Sequence, residues 1–273
     1  MTEPATPESQ YATYRERRTF AVTSPQGNLA LTVMQQVEDA QDIYGIPGVW
    51  EPLFTGLSGL RVTATEADDI WIDGYLVDGE ANALGKDHET PSNITIGESI
   101  TSVVVPTPGG VYALRVWDTS SDNSRNFGSI DAFDFNPDWV VEGTFTEIPG
   151  GRVLGFEHLN DGETTRDEVI PGTITFQKDE VTYDLAAFRS GRALQLVFGD
   201  ATNGVSTYSV GRFLFVAPNA DGTITLDFNR AILPPCAFSY AFNCPMPPKQ
   251  NRFPFAVTAG EKNVLNKAGS LLH

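Results

Sequence analysis

Short runs of β-branched and aromatic residues, separated by turns rich in glycine and proline, recur along almost the whole chain. Alternation of apolar with polar or small residues in such runs is typical of β-strands. The runs lie at residues 29–33, 60–65, 70–79, 102–105, 111–117, 139–145, 152–156, 172–176, 181–185, 193–198, 211–217 and 223–228. Helical spacing is confined to residues 9–20, where Tyr11, Tyr14 and Arg18 share one side. The sequence therefore predicts an all-β fold, mainly β with a short N-terminal helix.

A polar stretch at residues 118–136 divides this pattern into two halves. With 273 residues the chain suits either one large β domain or two small ones. We predict two packed halves, a β-sandwich-like half and then a β-barrel-like half with a proline-rich C-terminal wrap (residues 227–262). The predicted division is 1–22 for a tail and short helix, 23–120 for the sandwich-like half, 121–265 for the barrel-like half and 266–273 for a tail.

The charge balance restricts the partners of the protein, because 35 acidic residues face 18 basic ones and the net charge is -17. Such a charge repels phosphate backbones and anionic lipid surfaces, which argues against nucleic acid or a membrane as the main partner. It still leaves room for a local basic patch. The acidic residues 1–8 lack the basic start and apolar core of a secretory signal. Taken as the native start, they predict a cytoplasmic protein.

Familiar catalytic motifs are absent from the sequence. It contains no Gly-x-Ser-x-Gly nucleophile motif, no His-Glu-x-x-His zinc motif and no glycine-rich phosphate loop. Of the three histidines, His158 follows a predicted strand and is the one placed for acid–base chemistry. We favour the alternative that it is a loop-edge histidine without function. The sequence thus predicts no cofactor and leaves open whether the protein is an enzyme.

Both cysteines, Cys236 and Cys244, lie in the wrap. Two cysteines cannot form a four-cysteine zinc site, and no histidine pair lies near enough in sequence to complete a mixed one, so we predict no metal. Three interpretations remain. We favour two buried thiols over a disulfide, which needs an oxidising compartment, and over a reactive thiolate beside an arginine.

Charged and amide residues gather around the last predicted strand and in the wrap. The candidate ligand-binding residues are Asp227, Asn229, Arg230, Asn251, Arg252, Arg212, Tyr208 and Asp200. The strand ends before Pro234 and Pro235, which cannot extend a ladder, so the wrap can carry its later residues back past the strand end. Arginine forks pair with carboxylates, phosphates or backbone carbonyls. The cluster therefore predicts an ionic network that holds the wrap in place, which we favour, or a ligand pocket built on that network.

The wrap resembles a bacterial and archaeal family known as a domain of unknown function, DUF 1684. The shared runs include Leu-Asp-Phe-Asn-Arg-Ala, Pro-Pro-Cys-Ala-Phe and Ala-Gly-Glu-Lys. In this chain the matches lie at 226–231, 234–238, 244–245, 247–248, 251–252, 254 and 259–262, with upstream matches at 198–204, 207–208, 211–214, 128–131 and 136–139. The strong resemblance spans residues 195–262, and a looser one reaches back to about residue 125.

The resemblance implies a fold and a candidate site, and no reaction. Residues 240–243, Tyr-Ala-Phe-Asn, depart from the Tyr-Ala-Thr that the family usually has between the cysteines. For the first half it implies a small β-sandwich similar to forkhead-associated domains. The Ser/Arg signature with which those domains bind phosphothreonine is not visible in this sequence, so phosphopeptide binding is not implied.

Three functions remain open at this point. We favour a module that binds a small polar or sugar-like ligand at the strand end bearing Asp227, Asn229 and Arg230. One alternative is a hydrolase or lyase with Asp227 or His158 as the acid–base group and a nearby arginine as charge clamp. The other is a structural or protein-interaction role without a pocket. The sequence does not determine a protein partner or an oligomeric state.

Overall fold

The N-terminal segment folds as a helix, as predicted. A computed structural model describes residues 6–54, 56–107, 109–162 and 164–273. Helix α1 spans Pro7–Thr23 and begins with a proline, which the first turn of a helix tolerates. The Tyr11 hydroxyl donates to the carbonyl of Phe133 at 3.2 Å, so the side chosen from the sequence does face the protein. Among the described residues, no helix is both long enough and apolar enough to cross a membrane.

Two compact units make up the described chain. The N-terminal unit comprises Phe20–Phe127 and Ser239–Phe242, and the C-terminal unit comprises 6–19, Gly128–Phe238 and Asn243–His273. Both are built mainly from β-strands, which confirms the predicted fold class.

The N-terminal unit contains two antiparallel sheets. Its elements are β1 (Leu31–Val37), β2 (Gln41–Asp42), β3 (Val49–Pro52), β4 (Gly59–Ala64), β5 (Ile70–Ile72), β6 (Tyr75–Leu76), β7 (Gly79–Leu84), β8 (Ile94–Ile96), β9 (Ile100–Pro106), β10 (Tyr112–Asp118) and helix α2 (Asp122–Asn126). The sheets have the orders β1-β10-β9-β8-β5-β6 and β2-β3-β4-β7. Val37 and Leu114 of the first sheet share one core with Trp50 and Leu60 of the second, which is the packing of a β-sandwich.

The C-terminal unit is dominated by one curled sheet. Its strands are β11 (Phe127–Ala132), β12 (Val140–Glu157), β13 (Thr165–Lys178), β14 (Val181–Ser190), β15 (Ala193–Phe198), β16 (Arg212–Val216), β17 (Thr223–Asp227) and β18 (Glu261–Asn266). Six of them, in the order β16-β15-β14-β13-β12-β17, form a half-barrel, while β11 pairs with β18. Rings of Phe198, Phe228 and Phe253 pack in its core, with centroids 5.4–6.1 Å apart.

The wrap follows β17 as a series of turns, because its prolines cannot donate to a ladder. It contains 3-10 turns at Phe228–Arg230, Pro235–Ala237 and Lys249–Asn251. Near its end Gly260 has a φ of 79°, and a Cβ there would lie 2.6 Å from the carbonyl oxygen of Ala231. The glycine therefore permits a close backbone contact that holds the end of the wrap against its first turn.

Candidate functional site

The structure divides the eight candidate residues by exposure. Asp200, Arg212, Asn229 and Asn251 are buried, Tyr208 and Asp227 are half-buried, and Arg230 and Arg252 are exposed. The eight therefore do not form a single surface cluster. They form a set of buried anchors, and two arginines that face solvent beside two of those anchors.

The deepest anchor is an ion pair between Arg212 at the start of β16 and Asp200, whose side chains are both 0% exposed. The Arg212 Nη2 lies 2.7 Å from Asp200 Oδ2 and 2.8 Å from the carbonyl oxygen of Val257. Burial lowers the pKa of the Arg212 guanidinium, and the Asp200 carboxylate opposes that shift. Because the other Asp200 oxygen accepts from the Val257 N–H at 3.1 Å, the pair holds the last part of the wrap from both sides.

The two cysteines pack together within the wrap. Both are buried free thiols, and the Cys236 N–H donates to Cys244 Sγ at 3.2 Å. The hydrogen bond from Cys244 lowers the pKa of the Cys236 thiol, while that contact and burial raise the pKa of Cys244. Tyr208 adds a hydrogen bond of 3.3 Å from its hydroxyl to the Cys236 carbonyl. Within the described ranges, no group of three or more His, Cys, Asp or Glu side chains is arranged to hold a metal ion.

A carboxylate that the sequence analysis did not single out completes the anchoring. Glu261 is 1% exposed and accepts from Arg15 at 3.2 Å and from Arg18 at 3.0 Å, both on α1. Its other oxygen accepts the Leu233 N–H at 2.7 Å. The arginine-rich helix and the Ala-Gly-Glu-Lys run were each visible in the sequence. Their pairing was not, because nearly the whole chain lies between them.

The turn at Asn229-Arg230 has a buried half and an exposed half. The Asn229 carboxamide accepts from the Asn136 N–H and donates to the Asn136 carbonyl, both at 2.9 Å, as a neighbouring strand would. The next side chain, Arg230, is 53% exposed and pairs with Asp227 at 3.2 Å. The buried amide fixes the backbone, so the guanidinium is presented to solvent from a rigid support.

A groove of about 420 Å³ opens beside Arg230. Its other walls come from α1, through Ser9, Gln10, Thr13, Tyr14 and Arg17. Spacings of three and four residues place these side chains on one face of the helix. The Tyr14 hydroxyl donates to the Arg230 carbonyl at 3.1 Å, and the Arg230 guanidinium lies 5.5 Å from the centre of the Tyr14 ring. Burial raises the pKa of Tyr14 to about 12, so it is a neutral phenol at physiological pH.

The turn at Asn251-Arg252 repeats the same division. Asn251 is 0% exposed, and its carboxamide bonds the N–H and carbonyl of Ala186 at 3.0 and 2.8 Å and the carbonyl of Val197 at 2.8 Å. It therefore bridges β14 and β15 one residue beyond their last direct pair, Ala187 with Leu196. Arg252 is exposed, and its Nε donates to the Pro247 carbonyl at 3.0 Å.

The two proposed acid–base groups, His158 and Asp227, lie at the ends of different strands. His158 follows β12, is half-buried, and its Nδ1 lies 3.2 Å from the Phe156 carbonyl oxygen. Asp227 caps the turn after β17 through its hydrogen bond from the Asn229 N–H at 3.1 Å. Neither side chain lines the groove beside Arg230. Arg17 does line it, and the sequence signal that was available for it is its helical spacing from Thr13.

Comparisons with known proteins match the C-terminal half of the chain, which contains the wrap. A family model described as "Protein of unknown function (DUF1684)" matches residues 125–262, which is more than half of the chain. A search of curated proteins finds no match. A solved structure that is similar is an uncharacterized protein of Haloarcula marismortui, determined by solution NMR. It is 38% identical over 50% of this chain and 77% of that one, with a TM-score of 0.42. This chain therefore belongs to the DUF1684 family, as the residues of its wrap indicated.

Proposed function

We propose that the protein binds a small sugar-like acid, held by its carboxylate, in the groove beside Arg230. The observation that carries this proposal is an exposed guanidinium on a rigid turn, facing a helix that presents a second arginine across a groove of about 420 Å³. That volume lies within the usual range of small-molecule sites.

The charge of the groove favours a monoanion. Arg230 is already partly neutralised by Asp227, while no ion pair of Arg17 is described for residues 6–54, 56–107, 109–162 and 164–273. Of the two arginines that line the groove, Arg17 is therefore the one without a counter-ion among the described residues. A carboxylate matches it, because guanidinium forks bind carboxylates through paired hydrogen bonds.

The hydroxyls of α1 favour a ligand that has hydroxyl groups of its own. Ser9 Oγ donates to the Thr6 carbonyl at 2.9 Å, and Thr13 Oγ1 donates to the Ser9 carbonyl at 3.0 Å. Their protons are used in these two hydrogen bonds, so toward a ligand in the groove the two hydroxyl oxygens can act only as acceptors. An acceptor-rich wall suits sugar hydroxyls, which can donate to it.

Titration of the ¹⁵N-labelled full chain with glucuronate tests the proposal, with glucose as the neutral control. We expect saturable shifts of the backbone amides in residues 13–17 and 228–230, and none there with glucose. Arg230→Gln should weaken binding about tenfold or more, because a charge-assisted hydrogen bond is lost.

The matched control is Arg125→Gln in the N-terminal unit. Arg125 also forms an exposed (i, i+3) ion pair, with Asp122 at 2.9 Å, and it does not line the groove. Equal effects of the two substitutions, or equal shifts with glucose and glucuronate, would refute the proposal.

A further inference from the structure

A second cavity, of about 460 Å³, lies on the wrap and shares no lining residue with the groove beside Arg230. Lys249, Gln250 and Arg252 line it from the wrap, and Glu157 and Thr165 line it from β12 and β13. We propose that this cavity is a separate site for a sugar phosphate.

The wrap side of the cavity is held rigidly at both ends. Before it, the Met246 N–H donates to the Glu157 carbonyl at 2.7 Å. After it, the Phe253 N–H donates to the Gly199 carbonyl at 2.8 Å, and between them the Asn251 carboxamide is fixed to β14 and β15. The turn is therefore fixed before any ligand arrives, which lowers the entropic cost of binding.

The cations of this cavity favour a dianion. Arg252 lines the cavity and uses its Nε on the Pro247 carbonyl, so no hydrogen bond described for the protein occupies its two terminal nitrogens. Over the described residues, neither Arg252 nor Lys249 takes part in an ion pair. An arginine fork beside a lysine point charge is the donor set that phosphate groups bind.

The remaining polar groups favour a sugar attached to the phosphate. Glu157 is exposed at the end of β12 and has no ion pair among the described residues. A carboxylate there repels a bare dianion but accepts hydrogen bonds from sugar hydroxyls, and Thr165 and Gln250 add further donors and acceptors. The cavity therefore distinguishes a phosphorylated sugar from phosphate alone.

The test is a titration of the ¹⁵N-labelled full chain with glucose 6-phosphate, inorganic phosphate and glucose, followed at the amides of residues 155–157 and 249–252. We expect glucose 6-phosphate to bind about tenfold more tightly than phosphate, and glucose to cause no saturable shift. Arg252→Gln and Lys249→Gln should each weaken binding about tenfold.

Two further variants make the assignment falsifiable. Arg192→Gln alters an exposed arginine outside the cavity and should leave affinity unchanged. Glu157→Gln should strengthen binding of inorganic phosphate and reduce the preference for glucose 6-phosphate, because the neutral amide no longer repels phosphate and is a weaker acceptor for sugar hydroxyls. Equal affinities for the two phosphates in the unmodified protein, an Arg252→Gln effect no larger than that of Arg192→Gln, or shifts confined to residues 13–17 would overturn the proposal. Because the readouts are separate amides, this site and the groove beside Arg230 can fail independently.

Discussion

The wrap contains the dipeptide Asn-Arg twice. The two copies share one kind of backbone anchor, but their arginines lie in different electrostatic surroundings. At 229–230 and at 251–252 the asparagine is buried and its carboxamide bonds both the N–H and the carbonyl of one distant residue. In both copies the arginine that follows is exposed. The backbone anchor is therefore the same, and the exposed guanidinium is positioned by it.

The difference lies in what each arginine meets. Arg230 lies beside the Asp227 carboxylate and the Tyr14 ring, so part of its charge is compensated. The Arg252 side chain has one described hydrogen-bond partner, the Pro247 carbonyl, and Lys249 lines the same cavity. The comparison teaches that the motif sets the direction of the side chain, while neighbouring elements set the charge that a ligand would encounter.

The largest expected loss of stability comes from replacing Arg212, which is buried, whereas Arg230 and Arg252 face solvent. Arg212→Met leaves the Asp200 carboxylate buried without its cation, and we expect the free energy of unfolding to fall by about 3–5 kcal/mol. Urea denaturation followed by circular dichroism measures it, with the exposed Arg192→Met as control. A loss below about 1 kcal/mol would mean that the buried Arg212 contributes no more to stability than the exposed Arg230 and Arg252 do.

The next largest losses of stability are expected from replacing the two buried asparagines, Asn251 and Asn229. Asn251→Ala leaves three fully buried backbone groups, two on Ala186 and one on Val197, without partners, and we expect a loss of about 3 kcal/mol. Asn229→Ala leaves groups on the half-buried Asn136, which water reaches more easily, and we expect about 1–2 kcal/mol. The same denaturation experiment applies, with the exposed Asn160→Ala as control. The reverse order would contradict the view that the second turn is the more deeply anchored one.

A pH titration sharpens the contrast at the first turn. Burial raises the pKa of Tyr14 to about 12, above the ordinary tyrosine value of about 10. The folded protein then binds more protons than the unfolded chain between these values, so the contribution of Tyr14 to stability is present below pH 10 and is lost as the pH rises toward 12. Phenolate absorbance of the wild type minus that of Tyr14→Phe should therefore rise near pH 12 when folded and near pH 10 in urea. If this absorbance difference rose near pH 10 in the folded protein, the Tyr14 ring would not be desolvated beside Arg230.

The smallest effects belong to the two exposed arginines. Arg230→Gln loses a partly exposed ion pair and a ring contact, and we expect it to cost about 0.5–1 kcal/mol. Arg252→Gln loses one part-buried hydrogen bond made by an otherwise exposed side chain, and we expect a change of about 0.5 kcal/mol or less. Thermal and urea denaturation of the two variants measure this difference. A loss above about 2 kcal/mol for either arginine would mark it as a structural anchor and remove the basis for its ligand role.

Much of the fold, and the position of the candidate residues in the chain, was predictable from local sequence patterns. The alternating runs predicted the β fold, the i, i+3, i+7 spacing predicted α1, and the shared runs of the wrap indicated the family. The eight candidate residues do lie in the wrap, at the start of β16 and in the loop before β16. Their separation into buried and exposed members could not be predicted, because Asp200, Arg212, Asn251 and Arg252 carry no local signal of which side chains will pack against them.

The sequence by itself determined most of the longer strands, the turns forced by proline and glycine, and the adjacency of each asparagine to its arginine, since these depend on backbone conformation within a few residues. Only the tertiary structure decided that Tyr14, 216 positions away, lies beneath Arg230, that Glu261 meets Arg15 and Arg18, and that Arg212 is enclosed. The physical reason is that the energy of a charge depends on the solvent and partners around it, and those are supplied by elements far away in the chain.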